Sequence, residues 1–166
     1  PSDLLEKRTK EDKIPYTTWL DQGYLRVSEG NKVNYKDIVK WMLEVQNETD
    51  IYVYKIGYDS WGSTYLVDEL QQNFGKSTTE AVIQGAKTFS NPLKRVQSEL
   101  ENKKINYGNH PIFKWNMSNS AISVDRNDNW ALIKTSNSRR RIDGFASFMD
   151  AFIVYEKYYN DYMNII

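Results

Sequence analysis

The chain reads as an α/β protein in which short apolar strands alternate with amphipathic helices. Three observations predict this. Ile51 to Tyr58 is a β-rich run carrying valine and several tyrosines. Helical spacing flanks it, with Ile38, Trp41, Met42 and Val45 before and Leu66, Val67, Leu70 and Phe74 after. A second short apolar run, Glu80 to Gln84, leads into another helical pattern. Strands and helices in alternation predict a layered architecture.

The 166 residues suffice for one domain with a real core, so residues 1–166 are read as a single unit. Apolar residues make up 40% and aromatics 14%, which favours a folded chain despite a mean hydropathy of −0.70. Lys+Arg and Asp+Glu are both 22, so only a local basic patch can speak for nucleic acid. With no cysteine, disulfides, thiolate zinc sites and cysteine nucleophiles are excluded, and a cytosolic setting fits. No apolar run reaches the roughly 18 residues of a membrane helix, and no secretory signal is visible. No membrane partner is therefore expected. The chain opens on Pro1 rather than methionine and is read as a fragment or processed piece.

Taken in order, residues 1–22 predict an extended arm followed by a short helix that docks Tyr16, Trp19 and Leu20. Tyr24 to Ser28 alternates like a short strand. Asn34 is placed to cap the helix through Val45, and Asn47 to Asp50 ends it. After the Ile51–Tyr58 strand comes a helix over about 63–74. Ser90 or Asn91 with Pro92 predicts a helix start, running to about Lys103 with Leu93, Val96 and Leu100 inward. A short helix is expected within 110–119. Ala121–Asp125 and Trp130–Lys134 form a hairpin pattern around Arg126-Asn127-Asp128-Asn129. The last helix spans about 142–162, with Phe145, Met149 and Phe152 on its core face.

Two aspartates stand out. Asp59 ends the Ile51–Tyr58 run, and ligands gather at the carboxyl ends of strands in open α/β sheets. Asp143 lies in the first turn of the last helix, where the positive helix end stabilises a carboxylate. Each also has a plain reading as a helix cap or first-turn acid. Together they are candidate catalytic residues and ligands for two hard divalent cations, magnesium or manganese. Arg139, Arg140 and Arg141 precede Asp143 and suit backbone phosphates, although a charge run is also commonly plain surface. Asp150, seven residues past Asp143, lies about 10 Å along the helix and is too far to share one metal with it. Asp68 and Glu69 read as a solvated face. His110, the single histidine, supports no triad. Gly75-Lys76-Ser77 matches the end of a phosphate-binding loop, but Leu70 stands where that motif needs glycine.

In this order, the motifs resemble the nuclease domain of the large terminase subunit of tailed bacteriophages and prophages. Ile14-Pro15-Tyr16, Trp19 and Gly23-Tyr24-Leu25 resemble the family's segment before its central strand. Tyr58-Asp59 with Trp61 resembles its strand end. Gln84-Gly85, Ser90 and Pro92 follow, then Pro111, Trp115, Ser118 and Asn119. Ser138 and Arg141-Ile142-Asp143-Gly144 resemble its terminal helix start. The resemblance covers nearly the whole chain.

It implies a ribonuclease H-like mixed sheet flanked by helices, here without its opening strands, which carry the family's first catalytic aspartate. It implies a metal-dependent endonuclease that cuts concatemeric double-stranded DNA, with Asp59 and Asp143 as two of its acids. Without the first acid, this chain alone is expected to be inactive or impaired. The implied partners are double-stranded DNA and, in the full-length protein, an ATPase domain, a small terminase subunit and a portal. The implied setting is the host bacterial cytoplasm. The alternative is a catalytically incompetent nuclease-like module that binds DNA or docks on the packaging motor.

Overall fold

The computed structural model describes residues 1–135 and 140–165. A 3-10 turn at Ser2–Leu4 runs into α1 (Leu5–Asp12), so the expected extended arm is largely helical. Its helix formers outweigh its lack of buried residues. α2 (Tyr16–Asp21) follows, and Tyr16, Trp19 and Trp115 pack with ring centroids 5.7–5.8 Å apart. The Tyr24–Ser28 strand does not form. The Tyr24 and Leu25 amides donate to the Trp19 carbonyl, and the Ser28 carbonyl accepts from Ser2, which leaves no ladder for a partner.

α3 (Tyr35–Thr49) starts as expected, with the Asn34 side chain accepting from the Lys36 amide at 3.1 Å. The strand after it is shorter than its apolar run. Only Ile56–Asp59 forms β1; upstream, the Val53 amide turns to the Gln46 side chain at 3.0 Å. α4 (Thr64–Phe74) crosses over to β2 (Thr79–Val82), which pairs with β1 in parallel, Ile56 opposite Thr79 and Asp59 opposite Val82.

α5 spans Ala86–Glu101 and carries Pro92 inside it, so Pro92 does not start the helix. The ring removes one backbone bond. Burial of Phe89, Leu93 and Val96 holds the turn on either side. Ser90 accordingly does not cap; its buried hydroxyl accepts from the Trp130 amide at 3.0 Å and hooks the hairpin onto α5.

α6 (Pro111–Ser118) leads to the hairpin of β3 (Ser120–Val124) and β4 (Trp130–Lys134), antiparallel as expected. Parallel and antiparallel pairing thus occur in two separate two-stranded sheets rather than one mixed sheet. The hairpin packs on α5 instead of extending β1–β2. α7 (Asp143–Lys157) and α8 (Tyr159–Met163) replace a single last helix. At the break, Tyr158 donates its hydroxyl to Glu80 at 2.8 Å, and Lys157 pairs with the same carboxylate. Val82, Phe89, Leu93, Val96, Phe145, Met149, Phe152 and Val154 form the core between β2, α5 and α7. Among the described residues no helix is long and apolar enough to cross a membrane.

Candidate metal centre

α7 lies directly on β1, and Gly57 is the reason it can. A Cβ at Gly57 would fall 2.4 Å from the Asp150 carbonyl oxygen and 2.8 Å from Val154 Cγ2. The absent side chain lets strand and helix backbones meet. Two residues on, and so on the same face of β1, is Asp59. Its Oδ1 accepts from the Trp61 amide at 3.0 Å, and its carbonyl accepts from the Ser63 hydroxyl at 2.5 Å. Asp59 thus does not cap α4, whose N-cap is Ser63 without a side-chain cap bond; it makes a local turn ahead of the helix, and that turn fixes where the carboxylate sits. Trp61 itself is exposed.

Asp143 is the first residue of α7, where helix N-terminal amides favour its charge. No side chain of α7 caps this end. Buried Asn116 of α6 does it from across the fold: its Oδ1 accepts from the Gly144 amide at 3.0 Å, and its Nδ2 donates to the Ile112 carbonyl at 2.9 Å. Buried Asn119 donates to the Arg141 carbonyl at 2.9 Å. Two asparagines thus satisfy the backbone around Asp143 and fix its position.

Asp150 is 4% exposed. Its Oδ2 accepts from the Gln84 amide group at 3.0 Å, while its Oδ1 is buried without a hydrogen-bond partner. Burial, opposed by the Gln84 bond and reinforced by the negative charge of Asp59, pushes its carboxyl up to about 6. Such a group stabilises the fold fully below its unfolded value of about 4 and loses that share as pH rises through 6. In EDTA, Asp150→Asn is therefore expected to raise the melting temperature at pH 7.5 by roughly 4–8 °C, for about 2 kcal/mol. It also flattens the fall in stability between pH 4 and 7. Thermal denaturation across that range checks it; an unchanged pH slope contradicts it.

The arginines divide. Arg139 lies outside the described residues. Arg140, exposed, donates to Thr135 Oγ1 at 3.2 Å. Arg141 reaches back to Asp12 Oδ2 at 3.9 Å, and Asp12 also accepts from the Tyr16 hydroxyl at 3.0 Å. Burial, then the Asp12 bond, pushes the Tyr16 hydroxyl up to about 12. Arg141 thus ties the N-terminal helices to the start of α7.

Of the acids singled out in sequence, Asp59 lies at the β1 terminus and Asp143 at the α7 terminus. The carboxylate that feels the charge of Asp59 is Asp150. Asp150 shares the α7 face of Asp143 about 10 Å farther along. Among the described residues, no three histidines, cysteines or acids gather at metal-binding spacing. Sequence reading gave Asp150 a secondary place, quoted Gln84 only as part of a motif without a role at the site, and passed over Asn116. The seven-residue spacing from Asp143 was the one local signal for Asp150.

Asp59 at a strand end, Asp143 at a helix start and buried Asp150 about 10 Å beyond Asp143 along α7 offer only oxygen donors. The family model for the endonuclease domain of the terminase large subunit matches residues 1–157. The chain belongs to this family. The large subunit terminase of Enterobacteria phage HK97 is 28% identical over 151 residues, 89% of this chain and 29% of that protein. Protein YmfN of Escherichia coli (strain K12) is 24% identical over 156 residues, 92% of this chain and 33% of that protein. The crystal structure of the HK97 bacteriophage large terminase superposes with a TM-score of 0.80 at 24% identity, over 92% of this chain and 31% of that one. The fold is thus shared with part of the HK97 large terminase, and this chain spans about a third of the length of the proteins it matches.

Proposed function

We propose that residues 1–166 are a nuclease domain of a phage DNA-packaging terminase, a metal-dependent endonuclease that cuts concatemeric double-stranded DNA. The observation that carries this reading is a family match over residues 1–157 joined to two acids at the ends of β1 and α7. The fold is read as ribonuclease H-like, with β1 and β2 as part of a larger sheet. Relatives about three times as long give room for an ATPase domain and for contacts with a small subunit and portal. The host bacterial cytoplasm is the setting such packaging requires, and a prophage origin is consistent with it.

The donor set fits two hard divalent cations, magnesium or manganese: carboxylate oxygens only, with the Asp150 Oδ1 acceptor otherwise unpaired. Asp59 and Asp143 would hold them. The chemistry that cations bound there supply is activation of the attacking water and neutralisation of charge on the leaving oxygen. The Asp59 turn holds one carboxylate in place, and the Asn116 cap fixes the backbone at the start of α7 that carries the other. Arg140, Arg141 and the neighbouring Arg139 would meet backbone phosphates without reading sequence. Exposed Trp61, next to Asp59 in the same turn, offers a stacking surface.

A second reading, a non-cleaving nuclease-like module for DNA binding or motor docking, has one observation in its favour: the described residues gather no three-ligand cluster. A plasmid assay on a protein that joins this chain to the segments its longer relatives carry separates the two. Cleavage is expected with magnesium or manganese, to vanish in EDTA and to return when the metal is restored. DNA binding without cleavage under every metal condition supports the module instead.

A further inference from the structure

We infer that Asp150 is a further metal-holding carboxylate of this centre, paired with Asp59 through its free Oδ1 while Gln84 fixes its Oδ2. The inference rests on the metal-dependent reading above and adds a residue to it.

The Gly57 contact sets β1 against the Asp150 backbone, and Asp59 follows two residues on, about 7 Å along the same strand face. Helical Cα–Cβ bonds tilt toward the helix N-terminus, so the Asp150 side chain is directed toward the end of α7 that carries Asp143. Gln84, two residues beyond β2, meets it there. The ends of β1 and β2 and the N-terminal half of α7 therefore converge on one carboxylate. That carboxylate is 4% exposed and keeps one oxygen unpartnered.

A buried acceptor without a donor is costly, and a second carboxylate nearby makes it more so. A proton on Oδ1 would relieve the repulsion but would still lack an acceptor. A hard divalent cation between Asp59 and Asp150 satisfies the orphaned oxygen and offsets both charges. Gln84 holds the other oxygen as outer-shell partners of metal-binding carboxylates do. Because Asp150 lies about 10 Å from Asp143 along the helix, its partner for a shared cation is Asp59.

The test is manganese binding, read from the electron paramagnetic resonance signal of free Mn2+ at pH 7.5, without DNA. Wild type, Asp150→Asn, Asp59→Asn and Asp143→Asn are compared, and thermal melts in EDTA verify folding. Asp150→Asn is expected to weaken Mn2+ binding at least tenfold and to abolish the rise in melting temperature that Mn2+ gives the wild type. Wild-type affinity in Asp150→Asn, with weakened binding in Asp59→Asn and Asp143→Asn, overturns the role of Asp150 and leaves the metal-dependent reading standing. No Mn2+ binding by the wild type, or equal binding by all four proteins, overturns both.

Discussion

Gly57→Ala is expected to destabilise the fold by about 3 kcal/mol and lower the melting temperature by roughly 6–12 °C. The added methyl would stand 2.4 Å from the Asp150 carbonyl oxygen and 2.7 Å from its carbon. These are backbone atoms of a helix whose neighbours Met149 and Phe152 are buried, so they cannot rotate away. Strand and helix must separate instead, and Asp59 and Asp150 move with them. The same substitution at Gly85, where a Cβ meets nothing within 4 Å, is the control and is expected to cost no more than about 1 kcal/mol, the loss of a favourable cap residue at the start of α5. Thermal denaturation of the two variants side by side makes the comparison. Equal melting temperatures would contradict the close approach of β1 and α7.

That contact also shows where sequence reading reaches its limit. Short-range chemistry was legible: Asn34 capping α3, the stripe of α4, the hairpin around Arg126 to Asn129, and an acid at each of two element ends. Each depends on neighbours within a turn or two. Pro92 misled because its usual meaning is local, while α5 is held through it by Phe89, Leu93 and Val96 packing on distant elements. The Tyr24–Ser28 strand failed because its alternation found no partner strand. The supports of the site were out of reach for the same reason. Gln84 meets Asp150 across 66 residues of sequence, and Asn116 meets Gly144 across 28. Nothing in the local pattern of an amide side chain says which distant backbone it will satisfy. The one exception is Asp150, whose place on the Asp143 face was readable, but whose burial and unpaired oxygen were not.

Asp143→Asn is expected to lower metal-dependent DNA cleavage roughly 100-fold or more, while shifting the melting temperature by only a few degrees. Asparagine keeps the shape of the side chain and removes the charge that draws a cation. The Asn116 bond to the Gly144 amide, which holds the start of α7, does not involve the Asp143 carboxylate and remains. The loss of stability is then limited to the favourable meeting of a carboxylate with a helix N-terminus, about 0.3–1 kcal/mol. Activity and stability part company at this residue, whereas at Gly57 they fall together.

The most direct test of the central claim, that the acids at the ends of β1 and α7 form a metal-dependent nuclease centre, is single-turnover cleavage of supercoiled plasmid. It is run with a protein that joins this chain to the segments its longer relatives carry, over a range of Mn2+ concentrations, for wild type, Asp59→Asn and Asp143→Asn, with folding verified for each. Mn2+-dependent nicking and linearisation by the wild type are expected, with at least a 100-fold slower rate for either variant. Cleavage by both variants at the wild-type rate would contradict it.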